Sequence, residues 1–364
     1  MGKRVSWVEL YLDLVFVLAI GQLAHLIVTE PEMPRVWIAL GLFVTLWWTW
    51  VGFAVLYNRH GADEPLQRVL FLAGSVPAGV AAVAIEPAAS GDTTVFALSL
   101  AVTRLVLALA NAVNRADVRI TRACLLSAAL FGLSAAVPEP FRYVLWAIAI
   151  SVESGAMLAR ADAQEPLDPH HFAERFGLFL IILLGEVVVE AGQAPVDSDG
   201  WTAVVAVMLL AAGLWWAYFS SAAEINLKVL ELSGGSPAMA RTLFAAGHML
   251  PAFALLMTAA GVGLLLEGEP PRIAYWLPCI GVGIYMAGTR VFLLASSRVP
   301  GVVRALLLVA TFQLGRLEPH VSPRAYLWVL AGWVLMCAAL TTRGEVDLTR
   351  FLGRGERRVR RAPR

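Results

Sequence analysis

The chain has 364 residues, of which 59% are hydrophobic and 15% charged, and its formal net charge is +1. Soluble domains usually contain about 45–50% apolar and about 25% charged residues, so this composition excludes a single soluble core and indicates an integral membrane protein. The three cysteines lie inside apolar runs and indicate small buried side chains rather than a disulfide or metal framework.

Apolar runs of roughly 17–25 residues, the length that crosses a hydrocarbon core of about 30 Å as a helix, recur along the chain. They are continuous rather than alternating, which favours helices over a transmembrane barrel. We therefore predict an all-α polytopic membrane helix bundle of about twelve transmembrane helices. The predicted spans are residues 6–28, 36–57, 68–88, 93–113, 119–137, 141–160, 171–193, 201–222, 238–266, 273–296, 300–316 and 323–342.

Charge placement predicts the topology. The first run keeps Glu9 and Asp13 within it and lacks a small-residue cleavage pattern, so it is predicted to remain as a span rather than to be removed as a signal peptide. Lys and Arg collect mainly on one predicted side of the membrane, and the tail from Thr341 onward holds eight arginines. This asymmetry predicts that both termini are cytoplasmic and that the number of spans is even.

Residues 36–58 and 204–226 carry related sequences, which indicates a duplication. The recurring motif is Leu-Trp-Trp, at 46–48 and again at 214–216, with Asn58 recurring as Asn226. A unit with an even number of spans gives two copies of the same orientation. We predict a first six-helix repeat over 1–165, a second over 166–342 and a basic cytoplasmic tail over 343–364.

Two stretches resemble the bacterial low-temperature-requirement A (LtrA) family. The first is VSWVELYLDLVFV at residues 5–17, followed by Gln22-Leu-Ala-His25, and the second is ERFGLFLIILLGE at residues 174–186. The resemblance implies a multi-pass protein of the bacterial inner (plasma) membrane, in a family named for a growth phenotype in the cold. It implies very little about mechanism.

Ionisable side chains inside the predicted spans are the main functional candidates. Each costs at least about 2.5–3.5 kcal/mol at a helix centre, so each requires a partner, an aqueous cavity or a function. The deeper or cytoplasm-facing set is Glu9, Asp13, Arg104, Glu153, Glu174, Arg175 and Arg290. Glu9 and Asp13 share a helix face because they are four residues apart. We hypothesise a polar cluster in which Arg104 and Arg290 are neutralised by these carboxylates; the alternative is that the charges form structural ion pairs.

A second polar group is predicted nearer the outside, formed by Gln22, His25, Glu186 and Glu190. It contains no arginine, and such groups are candidates for a proton relay or a cation site. Glu186 is the strongest of these candidates. The alternative is that His25 and Glu190 simply reach interfacial water.

Histidines and tryptophans complete the candidate set. His170 and His171 are interpreted as solvated loop residues rather than metal ligands, because no further ligand pattern supports their spacing. His248 is interpreted as a core histidine. The Trp pairs at 47–48 and 215–216 lie too deep for an interfacial belt and are interpreted as interhelical packing or as the lining of a cavity.

The favoured function is a secondary transporter or permease with a polar site between the repeats, for which proton coupling through Glu186 is one option. Two alternatives stay open: a membrane-embedded enzyme or redox protein with a metal or another cofactor, and a structural or stress-response membrane protein. The cofactor is unknown and no metal site is predicted. The expected partners are the lipid bilayer and an unidentified small molecule or ion, without nucleic acid.

Overall fold

The computed structural model describes residues 6–61, 64–115, 117–159, 168–192, 198–267, 269–289, 300–318 and 320–342. These residues are helical, with short connections and no strand among them. The α-helices are Trp7–Thr29 (α1), Met33–His60 (α2), Pro65–Val83 (α3), Ile85–Ala89 (α4), Thr94–Val113 (α5), Val118–Ser134 (α6), Phe141–Leu158 (α7), Pro169–Ala191 (α8), Ser198–Ala217 (α9), Ala223–Leu232 (α10), Pro237–Ala240 (α11), Met249–Leu266 (α12), Ile273–Thr289 (α13), Gly301–Gln313 (α14) and Pro323–Thr342 (α15). Two π-helical segments, Tyr218–Ala222 and Arg241–Ala246, and a 3-10 segment, Leu314–Leu317, join some of them.

Within the described residues, 8 helical stretches are long and apolar enough to cross a membrane. They are Trp7–Thr29, Met33–His60, Pro65–Val83, Thr94–Val113, Phe141–Leu158, Gly200–Leu232, Pro237–Leu266 and Pro323–Leu340. The expected class, a multi-pass helical membrane protein, is therefore confirmed.

The predicted count of about twelve crossings goes beyond these stretches and stays a prediction. Each predicted span overlaps a described helix. Among the helices outside the 8 stretches, however, α6 and α13 have 17 residues each, α14 has 13, and α8 carries charged residues at 174, 175, 186 and 190.

Local sequence signals explain where several helices begin and end. Ser6 and Glu9 form a capping box at the start of α1, because each side chain accepts a hydrogen bond from the other residue's backbone N–H. The end of α2 is followed by Gly61 at φ 74°, a conformation that glycine adopts without steric cost. At the start of α8, Asp168 precedes Pro169 and its carboxylate accepts from the backbone N–H of His171 at 3.1 Å.

The contacts divide the chain into two compact units. The first unit comprises residues 1–186 and 226–256, in which α5 packs against α3 and α6, α6 packs against α7, and α1 packs against α2 and α3. The α2 helix is buried over most of its length. Tight packing at the centre of such a unit explains why α2 is apolar on all sides rather than amphipathic.

The second unit comprises residues 187–225 and 257–364. Here α9 packs against α15 and α13 packs against α14. Small residues allow close approach, since a Cβ placed on Gly213 of α9 would lie 2.9 Å from a methyl group of Val334 in α15. The Tyr285 hydroxyl of α13 donates to the carbonyl of Leu214 at 3.3 Å.

The two copies of the repeated tryptophan motif have different surroundings. Trp47 and Trp48 are buried, whereas Trp215 is 49% and Trp216 40% exposed. For Trp47 and Trp48, packing within the protein is the interpretation that the structure supports. The duplication and the repeat limits 1–165 and 166–342 stay predictions. The two compact units are defined by contacts between helices, and their limits do not test a sequence repeat.

Candidate functional site

A buried charged network joins the first turns of α1 and α8 with the second half of α2. Its first member is Glu9, which caps α1 yet is only 1% exposed. One carboxylate oxygen, Oε2, accepts from the backbone N–H of Ser6 at 2.8 Å, and the other, Oε1, accepts from Arg175 Nη1 at 2.6 Å. Glu9 is therefore both a member of the α1 capping box and a partner of α8.

Arg175 binds two carboxylates at once. Its Nη2 donates to Asp13 Oδ1 at 3.0 Å, one helical turn along α1 from Glu9, and the side chains of Arg175 and Asp13 are both 0% exposed. The indole N–H of Trp50 donates to the same Asp13 oxygen at 2.7 Å. The Trp50 ring centre lies 5.6 Å from the guanidinium carbon, a distance suited to a cation–π contact. Two acidic groups and one positive group thus share one buried volume.

His171 extends the network toward α2. Its Nε2 lies 3.2 Å from Glu9 Oε2, and its Nδ1 lies 3.1 Å from the amide nitrogen of Asn58. Asn58 also donates to the carbonyl of Asp168 at 3.1 Å and accepts from the backbone N–H of Asp168 at 2.9 Å. These two backbone contacts determine which end of the Asn58 amide carries the nitrogen.

The hydrogen-bond partners of Asn58 favour one tautomer of His171. Because the Asn58 nitrogen faces His171 Nδ1, Nδ1 must accept a hydrogen bond and carries no proton. Nε2 therefore carries the ring proton and donates to Glu9. If the Asn58 amide were reversed, its oxygen would face the carbonyl of Asp168 and its nitrogen would face the backbone N–H of Asp168. Both contacts would be repulsive, so this geometry fits the neutral imidazole.

Aromatic side chains surround the network and keep its surroundings apolar. The Trp50 ring packs against Phe176 and Phe179, with ring centres 4.8 Å and 4.2 Å apart. Trp47 packs against the same two phenylalanines and donates to the carbonyl of Ala245, in the π-helical segment, at 2.7 Å. Electrostatic interactions are stronger in such a low-dielectric setting, and unbalanced charges are more costly.

A second buried pair in the same unit joins Arg104 of α5 to Glu153 of α7. Arg104 Nε lies 2.9 Å from Glu153 Oε2, both side chains are 0% exposed, and the Ser127 hydroxyl donates to the same oxygen at 3.3 Å. The guanidinium lies 4.4 Å from the centre of the Phe131 ring. One cation faces one anion here, as expected for a structural ion pair.

These contacts select among the predicted pairings, since Glu153 is one of the carboxylates that were expected to neutralise Arg104. Asp13 is bound by Arg175, whereas Arg104 is bound by Glu153. Glu174 is exposed, in contrast to its neighbour Arg175 on α8. Arg290 and the basic tail lie outside the described residues. Arg175 is therefore the cation that contacts Glu9 and Asp13, and a binding role for these residues stays a prediction.

The contacts of the network do not include the outer candidates of the first unit, Gln22, His25 and Glu186, among the residues that the structure describes. Gln22 and Glu186 are half-buried and His25 is exposed. A Cβ placed on Gly21 would lie 3.2 Å from Glu186 Oε1, so the Glu186 carboxylate rests against α1 where a glycine leaves room. In the second unit, half-buried Glu190 lies against Gly263 of α12 in the same way.

The interpretation of His171 as a solvated loop residue is wrong. It is 2% exposed, because Asp168 caps α8 and turns His171 toward Glu9 and Asn58. By contrast, His170 is exposed and lies 2.8 Å from Glu231. His248 is a core residue as expected, and its ring stacks on Phe244 at 5.1 Å.

Sequence reasoning did not identify Trp50 or Asn58 as members of the site. One signal was available: His171 and Arg175 are four residues apart on α8, as Glu9 and Asp13 are on α1, so each helix presents a charged or titratable pair on one face. Asn58 also closes the duplicated motif. Neither signal shows which helices face each other.

Apolar helices of membrane-spanning length, together with charges buried among them, define a polytopic helical membrane protein. The model of the family described as "Bacterial low temperature requirement A protein (LtrA)" matches residues 4–341, so the chain belongs to the LtrA family. The chain is also 29% identical over 368 residues, covering 93% of this chain and 88% of the relative, to an uncharacterized protein, RA0937, of Rhizobium meliloti (strain 1021). No solved structure matches the chain.

Proposed function

We propose that this protein is a secondary transporter or permease of the bacterial inner membrane, coupled to protons through the network of Glu9, Asp13 and Arg175. The observation that carries the proposal is the ratio of charges: two fully buried carboxylates contact one arginine. A purely structural clamp is most stable when buried charges match one to one, as they do in the pair of Arg104 and Glu153. An additional buried carboxylate is costly while it is ionised, and binding a proton removes that cost. An intramembrane group of this kind is therefore a candidate for a proton relay.

The proposal includes an arrangement for the whole chain. About twelve spans form two parallel six-helix repeats that rock around a polar site, with both termini in the cytoplasm. The basic tail contacts anionic lipid rather than nucleic acid. The substrate is a small molecule or ion, and Glu186 remains a second candidate for the coupling group.

Proteoliposomes with an entrapped pH-sensitive dye test the proposal. They are challenged with a panel of amino acids, sugars, organic acids and monovalent cations, with and without an imposed proton gradient. We expect at least one panel member to produce a proton flux above that of protein-free vesicles. Asp13→Asn is expected to lower this flux at least tenfold, because an amide does not release a proton at working pH.

Glu30→Gln is the matched control. Glu30 is the residue directly after α1, and its side chain is 57% exposed. We expect this variant to keep the wild-type flux. A wild-type protein that gives no flux with any panel member, or an Asp13→Asn variant as active as wild type, would contradict proton coupling at this network. In the second case, loss of flux in Glu186→Gln would transfer the coupling role to Glu186.

A further inference from the structure

The charged network lacks one positive charge. Glu9 and Asp13 contribute two carboxylates, and among the described residues Arg175 is the charged donor that contacts them. His171 does not supply the missing charge, because Asn58 holds it as a neutral imidazole. With both acids ionised, the network would carry a net charge of −1 in an apolar environment, which is strongly unfavourable.

A proton is the species that can balance this charge. Hard metal cations require several oxygen ligands, about 6–8 for Ca²⁺, which one open oxygen atom does not supply. Glu9 does not have room for the proton, since its two oxygens together accept hydrogen bonds from Arg175, His171 and the backbone of Ser6. Three donors hold Glu9 as a carboxylate.

Asp13 has one occupied and one open oxygen. Oδ1 accepts from both Trp50 and Arg175, whereas Oδ2 is buried and has no hydrogen-bond partner in the described residues. A bare oxygen does not by itself require a proton, since Glu153 Oε1 is also buried without a partner among the described residues while Arg104 balances its charge. At Asp13 the bare oxygen coincides with an unbalanced negative charge, which a proton on that oxygen removes. We infer that Asp13 carries a proton on Oδ2 in this conformation, and that this is the proton which the proposed transport cycle takes up and releases.

The chemistry of release is a single proton transfer. The O–H bond at Asp13 Oδ2 breaks, the electron pair stays on the carboxylate, and the proton passes to water or to an acceptor on the transport path. The Nε–H group of Arg175 is available to donate to the new carboxylate, because this buried nitrogen has no partner within the described part of the chain. A carboxylate bound by two guanidinium N–H groups is stabilised more than one bound by a single group.

This inference names the coupling group of the proposed function, on which it rests, yet infrared spectroscopy tests it without any transport. Purified protein in lipid nanodiscs at neutral pH is compared with Asp13→Asn in H₂O and in D₂O. We expect the wild-type-minus-variant difference spectrum to contain one C=O stretching band of a protonated carboxyl group, which shifts to lower frequency in D₂O. Glu30→Gln is expected to leave this band in place.

A difference spectrum with a carboxylate band instead of a protonated-carboxyl band would overturn the inference. If Asp13→Asn does not fold, Asp13→Glu serves as the second variant, and the band is expected to change in frequency without loss of intensity. An unchanged band in Asp13→Glu would assign the proton to another group and would also overturn the inference. A protonated Asp13 in a protein that moves no protons would support this inference and contradict the proposed function, so the two outcomes are distinguishable.

Discussion

Replacing Arg175 with methionine tests the energetics of the network most directly. The Met side chain fills much of the volume of the Arg stem but removes the charge and both hydrogen bonds to Glu9 and Asp13. Removing one partner of a buried ion pair typically costs about 3–5 kcal/mol, because the other charge stays buried without compensation. Each charged hydrogen bond contributes about 1.5–3 kcal/mol, so two such bonds give a similar total. We therefore expect Arg175→Met to lower the free energy of unfolding by about 3–5 kcal/mol.

The size of the rescue by a second substitution identifies which acid is charged. Glu9→Gln in the Arg175→Met background removes the remaining ionised carboxylate, and the new amide oxygen still accepts from the backbone of Ser6 or from His171. We expect it to restore at least about 2 kcal/mol of the loss. Asp13→Asn in the same background is expected to restore less than about 1 kcal/mol, because it replaces a group that is already neutral.

The assay is unfolding of the purified protein by SDS in lipid–detergent micelles, followed by tryptophan fluorescence. Arg272→Met is the control, since Arg272 also pairs with a carboxylate, that of Glu318, but its side chain is 81% exposed. We expect this control to change stability by no more than about 1 kcal/mol. A cost below about 1 kcal/mol for Arg175→Met would refute the buried ion pair. Equal rescue by the two second substitutions would refute the assignment of the proton to Asp13.

Two further predictions concern the histidine and the packing of α12. Asn58→Asp replaces the donor that faces His171 Nδ1 with an acceptor. In ¹⁵N NMR spectra of labelled histidine, we expect a neutral His171 ring protonated at Nε2 in wild type and a doubly protonated ring in the variant. A wild-type ring protonated at Nδ1 would contradict this prediction. Gly261→Ala is expected to destabilise by about 1–3 kcal/mol, because the new Cβ would lie 2.9 Å from the backbone nitrogen of Pro278. Gly332→Ala is the control, because no atom lies within 4 Å of the new Cβ. In the same unfolding assay we expect it to be neutral or to stabilise by up to about 1 kcal/mol. Equal effects of the two alanine substitutions would contradict the predicted clash at Gly261.

Much of the fold follows from the sequence alone. Continuous apolar runs required helices, since backbone groups in lipid must be satisfied within their own segment. Pro and Gly positions indicate the connections, and the spacing of Ser6 and Glu9 fits the capping box that the structure shows at the start of α1. The number of crossings was harder to predict, because α8 combines an apolar stretch with four charged positions.

The candidate site was predictable in its acids and arginines but not in its pairings. A charge inside an apolar run indicates a partner or a function whatever the fold, so Glu9, Asp13, Arg104, Glu153 and Arg175 were identifiable. Arg104 was assigned to several acids, because depth along a helix gives no information about which face meets which neighbour. Trp50 gave no sign of its role, since indoles also occur in packed cores. The spacing of His171 and Arg175 was a signal, but it did not show which helix they face.

The sequence by itself determined that this chain forms apolar helices with a few costly charges among them, because hydrophobicity and helical periodicity are local properties. Only the tertiary structure decided that Arg175 serves two carboxylates, that Asn58 orients His171, and that Asp13 keeps one oxygen bare among the described residues. The physical reason is that the energy of a buried charge depends on every group within a few ångströms of it. Those groups come from α1, α2 and α8, which are separated along the chain and meet only on folding.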